Sequence, residues 1–234
     1  MIPNKEFRIN SINAIILGET SEKLFIYIHG QNGNKEEAHN IENVVCGYGF
    51  QILSIDLPNH GYPWDIVPEL QNVMKFANKH WSDISIFANS IGAWFCMLSY
   101  ANENLKNCFF VSPVLDMKNL ISKMMKWANV SIEQLKKEQI IKTDFGQTLS
   151  WKYWEYVLEH PIKNWRFPTN ILYGEKDNLI DYNDIEVFAQ SFHCRIKVMI
   201  SGEHWFHTKE QLDFIRNWLN DSLKNGRFFD KERR

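Results

Sequence analysis

The chain has 234 residues, 44% of them hydrophobic and 23% charged, and a formal net charge of -2. That length fits one fairly large domain with a buried core. A charge so near zero supplies no basic field for nucleic acid or an acidic membrane, so neither is expected as a partner. Aromatic content is 14%, with nine Trp, which suits a large core and an aromatic-lined pocket.

Residues Met1–Arg8 carry charges early and no apolar core segment, unlike a secretory leader. No apolar run approaches the roughly 18 residues needed to span a bilayer. Cys46, Cys96, Cys108 and Cys194 are widely spaced, with no Cys-x-x-Cys pair. Buried free thiols and a cytoplasmic location are therefore expected.

Phe7–Ile9 and Ala14–Leu17 read as two short strands, a hairpin at a sheet edge. Leu24–Ile28 is a continuous apolar run, as in a strand buried on both faces. It ends in the polar loop His29-Gly30-Gln31-Asn32-Gly33-Asn34, followed by a helical pattern over Lys35–Tyr48. Gln51–Ile55 is a further strand. Pro68–His80 reads as a helix with Pro68 in its first turn and an apolar face of Leu70, Val73, Met74 and Ala77. The β-favouring run Ile84–Asn89 meets a helix-compatible stretch from Ile91 to about Ala101, so Ser90 stands on a tight strand-to-helix corner.

Cys108–Val111 is another buried strand. From Met117 to about Trp165 the pattern changes to amphipathic stretches without strand alternation, over Leu120–Ala128, Ile132–Gln139 and Leu149–Glu159. So long an insertion between strands exceeds a plain crossover. Strand-helix alternation then returns with Thr169–Gly174, Asp184–Phe192, Ile196–Ile200 and Lys209–Lys224. The tail Asn225–Arg234 is charged and expected to be loosely held. The whole predicts α/β architecture around a mainly parallel sheet.

A serine on a strand-to-helix corner projects its hydroxyl clear of the sheet, and the next N–H opens a helix N-terminus that favours negative charge. Ala88-Asn89-Ser90-Ile91-Gly92 resembles the Gly-x-Ser-x-Gly elbow of the α/β-hydrolase superfamily, with alanine in place of the first glycine. His29-Gly30 resembles the family's oxyanion segment. Asp56-Leu57-Pro58-Asn59-His60-Gly61 is similar to its Asp-x-Pro-Gly-His-Gly turn, Asn59 replacing a glycine and His60 being a structural member of that turn. Gly174-Glu175-Lys176-Asp177 resembles the acid turn after the penultimate strand, and Gly202-Glu203-His204 the base loop after the last.

The resemblance implies an α/β-hydrolase core over residues 1–112 and 166–234, with a helical cap inserted at 113–165. It implies a serine hydrolase in which Ser90 is the nucleophile, His204 the base and Asp177 the orienting acid, with the Gln31 and Ile91 amides as the oxyanion hole. Asp116, after the preceding strand, is the rival for the acid. Glu175, Asp181 and Asp184 read as surface or helix-capping residues. His204 and His207 form a His-x-x-His pair, but no third ligand stands near, so no metal is expected. Trp94, Met124, Trp127, Trp154 and Trp205 are candidates for the substrate pocket, alongside a core role for each. The expected partner is a small acyl substrate, and the sequence requires no cofactor. Esterase, thioesterase, peptidase, acyltransferase and a ligand-binding protein that keeps the fold remain open.

Overall fold

The structure, a computed structural model, describes residues 6–58 and 61–229. Asn59 and His60, which carry part of the predicted turn, lie outside the described residues, as do residues 230–234 of the tail.

Among the described residues eight strands form one sheet in the order β1-β2-β4-β3-β5-β6-β9-β10. They are β1 (Glu6–Ile9), β2 (Ile12–Leu17), β3 (Lys23–Ile28), β4 (Gln51–Ile55), β5 (Asp83–Asn89), β6 (Cys108–Val111), β9 (Thr169–Gly174) and β10 (Arg195–Met199). β2 pairs antiparallel with β1 and β4; every other pairing is parallel. The central strands are buried on both faces and rich in Ile, Phe and Val, as parallel strands covered on both sides must be.

Alternation along each strand divides the core in two. In β3, Leu24, Ile26 and Ile28 face one layer, while Phe25 and Tyr27 face the other. The first layer is covered by α2 (Pro63–His80), α3 (Ile91–Tyr100) and α7 (Tyr182–Phe192). The second is covered by α1 (His39–Gly47) and α8 (Lys209–Phe229), through Ile41, Val45, Trp218 and Leu219. α3 is apolar on nearly every side and lies in the interior, which is where such a helix must go.

The chain steps from β3 to β4 on one side and then to β5 on the other. That reversal opens a crevice beyond the carboxyl ends of β3 and β5, the place where open α/β sheets take ligands. His29 follows β3 and Ser90 follows β5, so both residues stand at this crevice.

Three expectations are corrected. α2 starts at Pro63, five residues before the predicted first turn, so Pro68 lies inside the helix. Pro63 takes the first helical position, where the missing N–H is harmless, and the helix runs on through Pro68 at the loss of one bond to the Trp64 carbonyl. The insertion between β6 and β9 is not purely helical. Between α5 (Ile132–Glu138) and α6 (Trp151–Glu159) it holds a hairpin of β7 (Ile140–Lys142) and β8 (Thr148–Ser150). Strands of three residues are too short to display an alternation. α8 runs to Phe229, beyond the predicted end at Lys224.

The insertion begins with α4 (Met117–Trp127), whose N-terminus is capped by Asp116 accepting from the Asn119 amide at 2.9 Å. α4 and α6 lie against each other, and Tyr153 of α6 stacks on Trp94 of α3 with 5.9 Å between ring centres. Lys152 lies 4.0 Å over the ring of Trp64 in α2.

Candidate active site

Ser90 has φ +48° and ψ -121°, outside the regions that L residues favour. Holding a residue there costs on the order of 1–3 kcal/mol and demands strong surroundings. They are present: the Ser90 N–H donates to the Val111 carbonyl at 2.9 Å, and the Ser90 carbonyl accepts from Ala93 and Val114 at 3.1 Å each. Two residues on, Gly92 lets α3 cross the end of β3. A Cβ there would lie 2.5 Å from the His29 carbonyl oxygen and 2.9 Å from that of Ile28. Ala88 is wholly buried between its partners Ile28 and Phe110.

The Ser90 hydroxyl meets His204 Nε2 at 2.9 Å, and His204 Nδ1 meets Asp177 Oδ2 at 2.8 Å. Asp177 Oδ1 accepts from the Leu179 and Ile180 amides, each at 2.9 Å. The Asp177 side chain is fully buried and that of His204 is 17% exposed, so the imidazole borders solvent while the carboxylate does not. With Asp177 accepting from Nδ1, Nε2 is left to accept from the serine hydroxyl.

The acid turn and the base loop are laced together by backbone. Lys176 N donates to the Gly202 carbonyl at 2.7 Å, and Glu175 N to Met199 at 3.0 Å. Ser201 N donates to the Glu175 carboxylate at 3.0 Å. The turns approach so closely that a Cβ on Gly174 would sit 2.6 Å from the Gly202 carbonyl carbon and oxygen. Glycine at both positions is therefore what brings Asp177 to His204.

Gln31 stands on the loop after β3. The Leu57 N–H donates to His29 Nε2 at 2.8 Å, which leaves Nδ1 as the protonated nitrogen, donating to the Gly30 carbonyl at 2.6 Å. Gly33 N also donates to that carbonyl, at 3.2 Å. Because the peptide is planar and trans, fixing the Gly30 carbonyl turns the Gln31 N–H the opposite way. Ile91 begins α3, so its N–H has no carbonyl one turn back within the helix. Gln31, Ile91 and Ser90 all line one cavity of about 410 Å³.

Its apolar side is built by Met117, Leu120, Ile121 and Met124 of α4, with Leu149 of β8 and Tyr153 of α6. Of the predicted pocket residues Met124 is in this wall. The four tryptophans are elsewhere. Trp127 is half exposed and meets Phe145 edge-on; Trp205 is 74% exposed. Trp154 is buried in the core. Trp94 is buried beside Phe95 and borders a separate groove between α4 and α7. An amphipathic pattern assigns a side chain to a helix face but not to the neighbour that face meets.

The other candidates are also placed. Asp116, the rival acid, caps α4 and does not meet His204 among the recorded contacts. Asp181 pairs with Lys123 at 2.9 Å, and Asp184 accepts from Asn119 at 2.7 Å; burial pushes the Asp184 carboxyl up. His207 is bonded to the Trp205 carbonyl and lies 3.6 Å from Glu203. No cluster of three or more metal-ligating side chains occurs among the described residues. No helix among them is long and apolar enough to cross a membrane. His29 as the brace of the Gln31 peptide, and the hairpin residues of the wall, are the positions of the candidate site that sequence reasoning missed. The His-Gly pair marked the place of the first; nothing local marked the second.

Solved structures share this architecture. Est1E from Butyrivibrio proteoclasticus superposes with a TM-score of 0.77 at 18% identity, over 92% of this chain and 94% of that one. Another structure of Est1E has ferulic acid bound. Alpha/beta hydrolase domain-containing protein 10 from mouse gives 0.73 at 12% identity, over 94% and 98%. An esterase from Pyrococcus furiosus gives 0.64 at 14% identity, over 94% and 87%. No family model and no curated protein matches the chain. The chain has the α/β-hydrolase fold.

Proposed function

We propose that this protein is a serine hydrolase that cleaves a carboxylic ester of a small apolar or aromatic substrate through an acyl-enzyme. The observation that carries the reading is the Ser90–His204–Asp177 line, with its 2.9 and 2.8 Å contacts, whose serine lines a cavity. A serine hydroxyl is a weak nucleophile until a base takes its proton. Here His204 Nε2 takes it as Oγ attacks the ester carbonyl, and Asp177 steadies the imidazolium. The Gln31 and Ile91 amides receive the oxyanion. His204 then gives the proton to the departing alkoxide, and later takes one from the water that frees the acid.

A cavity of about 410 Å³ with an α4 wall of Leu, Ile and Met suits an acyl group of medium length or one aromatic ring. Residues 113–165 act as the cap that closes it. The esterase from Pyrococcus furiosus, one of the structural neighbours, and the ferulic acid held by Est1E support the same substrate class. Four free cysteines suit a reducing compartment such as the cytoplasm. A binding protein without turnover would not need the three side chains in line. Thioesterase, peptidase or acyltransferase activity would use the same line and differ only in what reaches it.

The test is labelling with a fluorophosphonate, with the modified peptide mapped by mass spectrometry, beside Ser90→Ala. Labelling at Ser90, and p-nitrophenyl ester cleavage that disappears in Ser90→Ala, is the expected result. Cleavage that survives in Ser90→Ala would overturn the mechanism.

A further inference from the structure

We propose that Glu37, Tyr27 and Asn89 are positioning residues, a part-buried hydrogen-bonded line that sets the nucleophile against the oxyanion loop. The inference rests on Ser90 being the nucleophile; none of the three need touch substrate.

Tyr27 of β3 is 3% exposed, and its ring lies flat on Phe87 of β5, at 5.4 Å between centres and 9° between planes. Its hydroxyl donates to Glu37 Oε2 at 3.2 Å and accepts from Asn89 Nδ2 at 2.7 Å. A carboxylate only accepts, so the phenol proton goes to Glu37 and Asn89 must turn its NH2 group to Tyr27. Burial, and then the charge of Glu37, push the Tyr27 phenol up, so it stays a neutral donor. This orientation leaves Asn89 Oδ1 buried without a partner. Such an orphan costs stability that an apolar residue there would not, the kind of local conflict found where position serves function.

The two ends of the line fall on the two halves of the site. Asn89 is the residue before Ser90. At the other end Glu37 Oε1 lies where a Cβ on Gly33 would come within 2.6 Å. Gly33 closes the turn through its bond to the Gly30 carbonyl, the group that aims the Gln31 amide. In front, the halves meet where Gly30 approaches the elbow, a Cβ on Gly30 lying 3.4 Å from the Ser90 Cβ, and where Gly92 packs on the His29 carbonyl. The line behind them therefore spans the gap between the hydroxyl that attacks and the amide that receives the oxyanion. Misplacement of reacting groups by about 1 Å is enough to cost on the order of 100-fold in rate.

Tyr27→Phe keeps the ring and its stacking but removes both bonds. With p-nitrophenyl butyrate, kcat should fall about 10- to 100-fold while KM stays within about twofold. Glu37→Gln retains an oxygen that accepts and should keep kcat within about threefold of wild type; Glu37→Leu should fall as Tyr27→Phe does. The double variant Tyr27→Phe/Glu37→Leu should be no slower than Tyr27→Phe alone, because both break one line. Circular dichroism and thermal melting check that each variant folds. Should Tyr27→Phe not fold, Glu37→Gln against Glu37→Leu decides the matter alone. Wild-type kcat in Tyr27→Phe, or equal loss in Glu37→Gln and Glu37→Leu, overturns the positioning role while ester cleavage that depends on Ser90 stands. A wild-type protein that neither cleaves esters nor takes the fluorophosphonate overturns the hydrolase reading and this role with it.

Discussion

The sheet and the insertion are built to different standards. β3, β5 and β6 are buried along nearly their whole length and paired on both sides, and every proposed catalytic group, the oxyanion amides included, follows a strand end in that sheet. The insertion consists of short helices and a hairpin of three-residue strands, and it leaves Trp127, Ile132, Ile140 and Phe145 exposed. The hairpin packs on α4, α5 and α6, and its one recorded polar bond to the sheet domain is Gln147 with Gln31, at 3.1 Å. The insertion's buried side chains, among them Leu120, Leu135 and Trp154, belong to the same core that covers the sheet. The proposed catalytic groups sit on the sheet domain, and the proposed acyl wall sits on the insertion.

The sharpest way to break this contrast is at the acid. Asp177→Asn should lower kcat on the order of 10,000-fold, because the amide selects the wrong imidazole tautomer. Asp116→Asn, which touches only a helix cap, should leave turnover near wild type. Steady-state kinetics of both variants would reverse the assignment if the losses were exchanged. Gly174→Ala tests the sheet domain directly. Its Cβ would strike the Gly202 carbonyl, so the acid and base loops must part, with a loss of about 1–3 kcal/mol in stability and a fall in kcat. Denaturant unfolding at wild-type stability would remove the argument from close approach.

In the insertion the effects should be smaller and fall on selectivity. Leu120→Trp fills the α4 wall and should shift preference from octanoate to butyrate esters by about 10-fold, without altering labelling of Ser90. An unchanged octanoate-to-butyrate ratio would take α4 out of the acyl site. Gln147→Ala should cost about threefold in kcat/KM, the worth of one exposed hydrogen bond; a loss of 100-fold would make the hairpin part of the catalytic frame.

The smallest effect is one of pH. Burial pushes the thiols of Cys96 and Cys108 up, and that of Cys194 to about 11. Unfolded thiols ionise near about 8.5. Above that pH the unfolded chain releases protons that the folded chain keeps, so this contribution is full below about pH 8 and is lost as pH climbs toward 11. The denaturant midpoint should fall between pH 8 and pH 10, and less steeply in Cys194→Ser; an identical slope in that variant would remove Cys194 from the account.

Much of the sheet was legible because its signals are local. The continuous apolar runs of Leu24–Ile28 and Cys108–Val111 are strands, and the corner at Ser90 was marked by the change of period on either side of it. The start of α2 was misread because Pro68 was given the role that Pro63 has. The hairpin at Ile140–Ser150 escaped because three residues cannot show an alternation. For the site, the glycines of Gly174 and Gly202 and the polar residues beside them were visible; of the four tryptophans read as pocket or core, Trp94 and Trp154 take the core role and none lines the cavity.

The sequence alone determined most of the sheet's strands and the helices between them, though not the Ile140–Ser150 hairpin or the start of α2, and which loops carry a serine, a carboxylate and a histidine, because propensity, period and turn chemistry act over a few neighbouring residues. Only the tertiary structure decided that Ser90 and His204, 114 positions apart, stand at 2.9 Å, that Asp177 rather than Asp116 meets the imidazole, and which side chains face the cavity. Those relations depend on how strands are ordered in the sheet and how closely two glycine turns approach, and no local run of residues encodes a distance between distant parts of the chain.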